Sequence, residues 1–241
     1  MEKVKTLVLI HGINTNNKYF EKFKNFFENK GYRIIAPNLP YKNNLNELGK
    51  VGIKNYLDFL EKEVKKIKEP FYIIGHSMGG LLAQMLAQKG YGEKIVLLSP
   101  APPADISSIN LKLVLNSWNI IWSILFFRKV FIFSFTFARK NIFNLLSEKE
   151  ALEEYQNIEF DSLKVLKELT FGINTKVDEK RVKQDILILV GEKDRMIKKT
   201  VFEKINKKYK NSELKFFPNH SHYLLAENAW EEVAKGVLNW F

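Results

Sequence analysis

One serine in this sequence stands where a nucleophile would need to stand. Ser77 is the middle residue of a Gly-x-Ser-x-Gly motif at 75–79, after the apolar run 71–74 and before a helical pattern that starts at Leu81. A strand and a helix joined with almost no loop require a very tight turn, whose apex residue is strained and exposed. The alternative is a glycine-rich turn with a capping serine. The strand before the motif and the helix after it favour a nucleophilic Ser77.

A serine nucleophile needs a general base, because its hydroxyl is barely ionised at neutral pH. Two histidines near the end of the chain, His220 and His222, are the candidates. We favour His222, since it directly precedes the segment 223–227 that leads into the last helix. His220 is then a loop residue that helps to shape the turn.

The base in turn needs a carboxylate that fixes its tautomer and stabilises the imidazolium. Asp194 follows the buried run 186–190 by a few residues and is our candidate. The competing interpretation is that Asp194 only caps a turn or the next helix. Asp105, after the preceding strand, is the second choice. Glu192 lies closer to the strand end but is expected to point elsewhere.

The elements that would position these residues alternate between strands and helices. Such alternation predicts a doubly wound, mainly parallel six-stranded α/β sheet. Ligand sites in these sheets lie at the carboxyl ends of the strands. Ser77, the loop after the fifth strand, the loop after the sixth strand and all four histidines fall at those ends. The predicted strands are 6–10, 33–37, 71–74, 94–100, 186–191 and 213–217.

A long insertion, 103–182, interrupts the core formed by 1–102 and 183–241, and we expect it to be a mostly helical, aromatic-rich cap. Between 106 and 147 it has no acidic residue and seven phenylalanines. Phe131, Phe133, Phe135 and Phe137 alternate, which favours a strand, although a helix stays open. The insertion either packs on the core as an apolar cap, or lines an acyl pocket and presents basic residues to anionic lipid. A membrane span is not expected, because the apolar run 111–127 is shorter than the roughly 20 residues required.

Helix boundaries can also be predicted. A helix should run from about 48 to 68, and Ser147 with Glu150 should form a capping box. The last helix should start near Asn228, with Glu231 as its capping-box partner.

Taken together, these motifs resemble those of the α/β-hydrolase superfamily. The resemblance rests on His11-Gly12, the motif around Ser77, the segment 191–194, and the spacing from His222 to Glu227, in the family's order of serine, aspartate, histidine. It implies an oxyanion hole formed by two backbone N–H groups, those of Ile13 and Met78. No antiparallel hairpin precedes Thr6, so the fold should be a reduced version. The family's frequent Asp-x-x-Gly-x-Gly-x-Ser loop is also missing after the second strand.

A serine at the elbow implies acyl transfer to water, whereas the dehalogenase and epoxide hydrolase members of this superfamily have aspartate there. We expect a carboxylic-ester hydrolase that works through an acyl-enzyme and resembles lipases, lysophospholipases or carboxylesterases that accept apolar acyl chains. The alternatives are a thioesterase, an aminopeptidase or a carbon–carbon bond hydrolase of the same fold. A ligand sensor that retains the triad is the remaining alternative.

Composition limits the other function classes. The chain of 241 residues is 46% hydrophobic and 27% charged, which is typical of a globular protein. Its net charge is +11, but most of its lysines lie in mixed Lys/Glu helices such as 61–66, which are typical of a solvated surface, so nucleic acid is not an expected partner. There is no cysteine and no signal-peptide pattern, which predicts a cytoplasmic protein. No motif suggests a metal or a nucleotide cofactor.

Overall fold

The computed structural model of the protein describes residues 5–107 and 129–241. The whole apolar run 111–127, with the expectation that it does not cross a membrane, therefore lies outside the described residues. So do Lys112 and Arg128 of the basic part of the insertion.

A six-stranded, fully parallel sheet forms the centre of the molecule. Its strand order is β2-β1-β3-β4-β7-β8, and the sheet is doubly wound, as predicted. Continuous apolar runs form its inner strands because both faces are covered by other elements. The strands are β1 (Thr6–Ile10), β2 (Arg33–Ile35), β3 (Phe71–His76), β4 (Lys94–Leu98), β7 (Asp185–Gly191) and β8 (Ser212–Phe217).

Helices cover the sheet on both faces, and successive side chains of each strand point to opposite faces. On one face pack α3 (Ile53–Val64), α4 (Met78–Ala87) and α8 (Lys199–Lys208). On the other face pack α1 (Glu21–Glu28), α9 (Trp230–Trp240) and much of the insertion. The remaining elements before the insertion are the short α2 (Leu45–Leu48) and a 3-10 helix at Asn17–Phe20.

The regular secondary structure in the described part of the insertion is mainly helical, in line with the prediction. It contains a two-stranded antiparallel pair and three helices, followed by a 3-10 turn at Glu179–Arg181. The strands are β5 (Val130–Phe131) and β6 (Asp161–Ser162), and the helices are α5 (Phe135–Asn141), α6 (Glu148–Tyr155) and α7 (Leu163–Phe171).

The alternating phenylalanines do not form one strand. Phe131 ends β5, and the side chain of Ser134 accepts a hydrogen bond from the N–H of Phe137 and so starts α5. Alternation carries little information here, because Phe131, Phe133 and Phe137 are all buried whichever way they point. The helical alternative was correct from Phe135 onward.

Other helix predictions had mixed outcomes. The capping box of Ser147 and Glu150 is confirmed. The predicted helix 48–68 is shorter, because the chain is extended at Gly52 and α3 begins at Ile53. The last helix begins at Trp230, and the predicted cap by Glu231 is wrong. Hydrogen bonds from Ala226 to Tyr223 and from Trp230 to Glu227 continue the preceding turn to the start of the helix.

Candidate active site

Ser77 occupies the tight turn between β3 and α4, with no loop residue beside it. Its φ of 53° and ψ of −118° lie in a region that non-glycine residues rarely adopt. A Cβ on Gly79 would overlap the carbonyl oxygens of Ile10 and His11, so α4 can approach the end of β1 only with glycine there. The sequence-predicted elbow is therefore present, and Ser77 is at its apex.

The three predicted triad side chains form one hydrogen-bonded chain. Nε2 of His222 lies 3.1 Å from Oγ of Ser77, and Nδ1 of His222 lies 2.8 Å from Oδ2 of Asp194. The side chains of His222 and Asp194 are only 5% and 2% exposed, so bulk water competes little for these bonds. These distances suit proton transfer from the serine to the imidazole.

Asp194 is itself held in place by the backbone. Its other oxygen, Oδ1, accepts hydrogen bonds from the N–H groups of Met196 at 2.8 Å and Ile197 at 3.0 Å. Asp194 thus caps the turn with one oxygen and contacts His222 with the other, so it does not only cap the turn. Each oxygen of the carboxylate has its own hydrogen-bond partners, and this fixes the plane of the carboxylate.

His76, which precedes Ser77, makes a hydrogen bond to the backbone of His222. Its Nε2 lies 2.8 Å from the carbonyl oxygen of His222 and must donate to it. Burial and the neighbouring His222 lower the pKa of His76 to about 3, so the ring is neutral at neutral pH. The sequence predicts His76 at this sheet edge but does not predict this contact.

The alternative acids and the alternative base lie elsewhere. Asp105 is half exposed and pairs with Lys208 at 2.7 Å, while the Glu192 side chain is exposed. His220 is buried, with Nδ1 3.1 Å from Oε1 of Glu227. Glu227 also accepts hydrogen bonds from the backbone and the hydroxyl of Ser221. His220 is thus hydrogen-bonded within the loop that also carries His222, and its role in shaping the turn stays a prediction.

Two backbone N–H groups near Ser77, those of Met78 and Ile13, are the predicted oxyanion donors. Met78 is the first residue of α4, where N–H groups have no partner inside the helix. Ile13 lines the pocket that also contains Ser77 and His222. Among the hydrogen bonds of residues 5–107 and 129–241, neither of these N–H groups has an acceptor. Both are available to a negatively charged oxygen.

The pocket over Ser77 has a mainly apolar wall, to which the insertion contributes. Phe133, Ile142 and Ile158 of the insertion line it together with Met196. Phe131, Phe137 and Phe143 are buried in the core on that face of the sheet. Most described phenylalanines of the insertion thus serve core packing, while Phe133 also borders the site.

Sequence reasoning missed three residues that surround the site: Asn14, Lys42 and Asp161. Asp161 is fully buried in the insertion and binds both of the others. No local pattern marks Asp161, because Asn14 and Lys42 lie more than a hundred positions away in the sequence. In the part of the chain that the structure describes, no group of three or more side chains is arranged to hold a metal ion.

The model of the alpha/beta hydrolase family matches residues 7–236. The chain belongs to this family. The match spans nearly the whole of this alpha/beta hydrolase, including the insertion. No curated protein sequence matches the chain significantly.

Solved structures of known hydrolases share the fold of this alpha/beta hydrolase. Polyneuridine aldehyde esterase is 15% identical with a TM-score of 0.74, and the alignment covers 98% of this chain and 99% of that one. A pyrethroid hydrolase from Sphingobium faniae JZ-2 is 15% identical, with a TM-score of 0.75 and coverage of 99% and 97%. A monoacylglycerol lipase from Paleococcus ferrophilus is 17% identical, with a TM-score of 0.70 and coverage of 98% and 93%. At these identities the likeness shows the fold. Within the described residues, no helix has the length and apolarity to cross a membrane.

Proposed function

We propose that this chain is a serine hydrolase that cleaves carboxylic esters through an acyl-enzyme. The observation that carries the proposal is the continuous hydrogen-bonded chain from Asp194 through His222 to Ser77, with Ser77 at the apex of a strained turn. The esterases and lipase among the structural neighbours support ester bonds as the substrate class. In this proposal Ser77 is the nucleophile, His222 the general base and Asp194 the residue that orients it.

The reaction then proceeds in two balanced halves. Oγ of Ser77 attacks the ester carbonyl while Nε2 of His222 takes its proton, and the carbonyl oxygen becomes an oxyanion near the N–H groups of Ile13 and Met78. Collapse of this intermediate breaks the bond to the alcohol, which leaves with the proton from His222. Water, deprotonated by the same nitrogen, attacks the acyl-enzyme. The second collapse releases the carboxylic acid and returns the proton to Ser77.

A labelling experiment tests the chemistry directly. A fluorophosphonate probe should label the parent protein, and Ser77→Ala should lose both labelling and hydrolysis of p-nitrophenyl butyrate. The matched control is Ser99→Ala, because Ser99 is a buried serine at the end of the neighbouring strand that also has a positive φ, 41°. Labelling that survives Ser77→Ala would remove the proposal. A single turnover with no further product would instead indicate the triad-retaining sensor.

We propose further that residues 103–182 act as a cap and that the acyl group is apolar. Support comes from the wall of the pocket, where Phe133 and Ile158 of the insertion face the region beside Ser77. In the parent protein, the rates for p-nitrophenyl esters should rise from acetate to medium chains. Ile158→Trp, which narrows the pocket, should lower the rates for medium chains. Ile173→Trp, at an exposed position of the insertion, is the control. A rate that falls steadily from acetate upward would exclude the apolar preference.

We also propose a cytoplasmic location and a transient contact between the basic insertion and anionic membranes. The lack of cysteine is consistent with a reducing compartment. The insertion combines Arg139 and Lys140 with the exposed Leu145 and Leu152. Co-sedimentation with phosphatidylserine vesicles but not with phosphatidylcholine vesicles is the expected result. Equal binding to both, or to neither, would exclude the electrostatic contact.

A further inference from the structure

Asp161 of the insertion is buried beside the loop that carries the Ile13 N–H. Its Oδ2 accepts hydrogen bonds from the backbone N–H of Asn14 at 3.0 Å and from Nζ of Lys42 at 2.6 Å. Its Oδ1 accepts from the hydroxyl of Tyr56 at 2.7 Å and from the N–H of Ser162 at 2.8 Å. The side chain is 0% exposed, and the Lys42 ammonium compensates its charge. Four donors thus fix the position of this carboxylate.

The peptide that precedes the Ile13 nitrogen is fixed from one side. The carbonyl oxygen of Gly12 accepts hydrogen bonds from Nδ1 of His11 at 2.9 Å and from the hydroxyl of Thr15 at 3.0 Å. This peptide is trans, so its N–H, that of Ile13, points in the direction opposite to its carbonyl. The two donors therefore direct the Ile13 N–H away from themselves, and Ile13 lines the same pocket as Ser77.

The peptide that follows Ile13 is fixed by the insertion. Its N–H, that of Asn14, donates to Asp161, and Asn14 has a φ of 56°, which is unfavourable for a residue with a side chain. The side-chain amide of Asn14 donates hydrogen bonds to two carbonyl groups of the insertion, those of Phe131 and Glu159. The carbonyl oxygen of Asn14 accepts from the N–H of Glu159. The strained loop conformation thus depends on contacts that the β1 loop cannot make by itself.

We infer that Asp161 is a positioning residue for the oxyanion hole. It holds the Asn14 N–H, and thereby the direction of the Ile13 N–H, so that the insertion preorganises one donor of the hole before substrate binds. The inference rests on the proposed function, since it requires an oxyanion at Ser77. An oxyanion exists only in the transition state and the tetrahedral intermediate, so disturbing Asp161 should lower kcat and leave KM nearly unchanged.

The chain offers a matched control in a second buried carboxylate of the insertion. Glu168 is 4% exposed and accepts hydrogen bonds from the N–H of Ile53 at 2.6 Å and from the Asn174 amide at 2.9 Å. It joins α7 to the start of α3 and makes no hydrogen bond to the β1 loop. Glu168→Gln therefore weakens the attachment of the insertion without touching the oxyanion donors.

The experiment compares Asp161→Asn with Glu168→Gln and the parent protein, using p-nitrophenyl butyrate. In Asp161→Asn a single amide oxygen cannot accept from all four donors, and the charge that pairs with Lys42 is lost. We therefore expect kcat to fall on the order of 10- to 100-fold, less than or equal to the loss of a whole oxyanion donor. Glu168→Gln should keep kcat within about threefold of the parent. The affinities for two inhibitors provide a measurement that a general loss of stability would not change. Trifluorooctan-2-one forms a tetrahedral oxyanion adduct with the serine, whereas octan-2-one binds as the intact ketone.

Asp161→Asn should lose affinity for the fluorinated ketone by the same factor as kcat and keep its affinity for octan-2-one. Equal losses for both ketones, or an equal fall of kcat in Glu168→Gln, would overturn the inference. If Asp161→Asn does not fold, Tyr56→Phe removes one donor to the same carboxylate and should show a smaller loss with the same pattern. A parent protein that neither labels nor hydrolyses esters would refute the proposed function, whereas an active parent with an unaffected Asp161→Asn would refute this inference alone.

Discussion

Replacing Asp194 with asparagine should invert the hydrogen bonding of the base while leaving its position unchanged. Oδ1 of Asp194 accepts hydrogen bonds from the backbone N–H groups of Met196 and Ile197, and Oδ2 accepts one from Nδ1–H of His222. In Asp194→Asn the amide oxygen must stay with the two N–H donors. The amide nitrogen, a donor only, then faces Nδ1 of His222.

The consequence is a change of tautomer. Nδ1 of His222 must become an acceptor, so the proton moves to Nε2, which lies 3.1 Å from Oγ of Ser77. A protonated Nε2 cannot take the serine proton. The same substitution in a triad of this type lowers kcat about 10⁴-fold, which corresponds to about 5 kcal/mol in the activation free energy. Protein stability should change little, because the two backbone hydrogen bonds persist.

The assay is kcat for p-nitrophenyl butyrate, with thermal unfolding as the measure of stability. Glu192→Gln and Asp105→Asn are the controls, since both carboxylates lie near the ends of strands but are exposed. Both controls should keep the parent's kcat. The reasoning fails if Asp194→Asn retains kcat within about tenfold of the parent. It also fails if Asp105→Asn loses as much as Asp194→Asn does.

Three further predictions concern stability. Burial lowers the pKa of His11 to about 4, helped by the nearby Lys42, and that of His76 to about 3, helped by His222. Near pH 5 these two histidines are therefore protonated only in the unfolded chain. Stability should therefore fall between pH 7 and pH 5, by about 2 kcal/mol for each histidine, in urea unfolding measured at both pH values; an unchanged midpoint would contradict this. Gly79→Ala should prevent folding, so that thermal unfolding followed by circular dichroism shows no cooperative transition. Ala87→Gly in the same helix should only lower the midpoint of that transition. Ser147→Ala should cost about 1 kcal/mol of unfolding free energy through loss of the α6 cap, and an unaltered urea midpoint would show that the cap contributes nothing.

The fold followed from the sequence because its signals are local and agree with one another. Buried parallel strands appear as short apolar runs, and the elbow appears as glycines around Ser77. The positions of Asp194 and His222 after strand ends then place them at one edge of the sheet. Where local signals conflicted, the prediction failed. The phenylalanines near Phe133 follow the period of a strand, but the serine cap after them starts a helix.

The sequence by itself determined the sheet, the elbow and the side chains that converge on Ser77, because each is encoded within a few residues or by the rule that parallel strands end together. Only the tertiary structure decided how the loop after β1 is held, since the groups concerned are far apart along the chain. Asn14 and Asp161 are separated by 147 positions, and neither residue lies in a recognisable motif. A buried carboxylate is stable only where several donors meet, and that meeting is a property of the packed molecule.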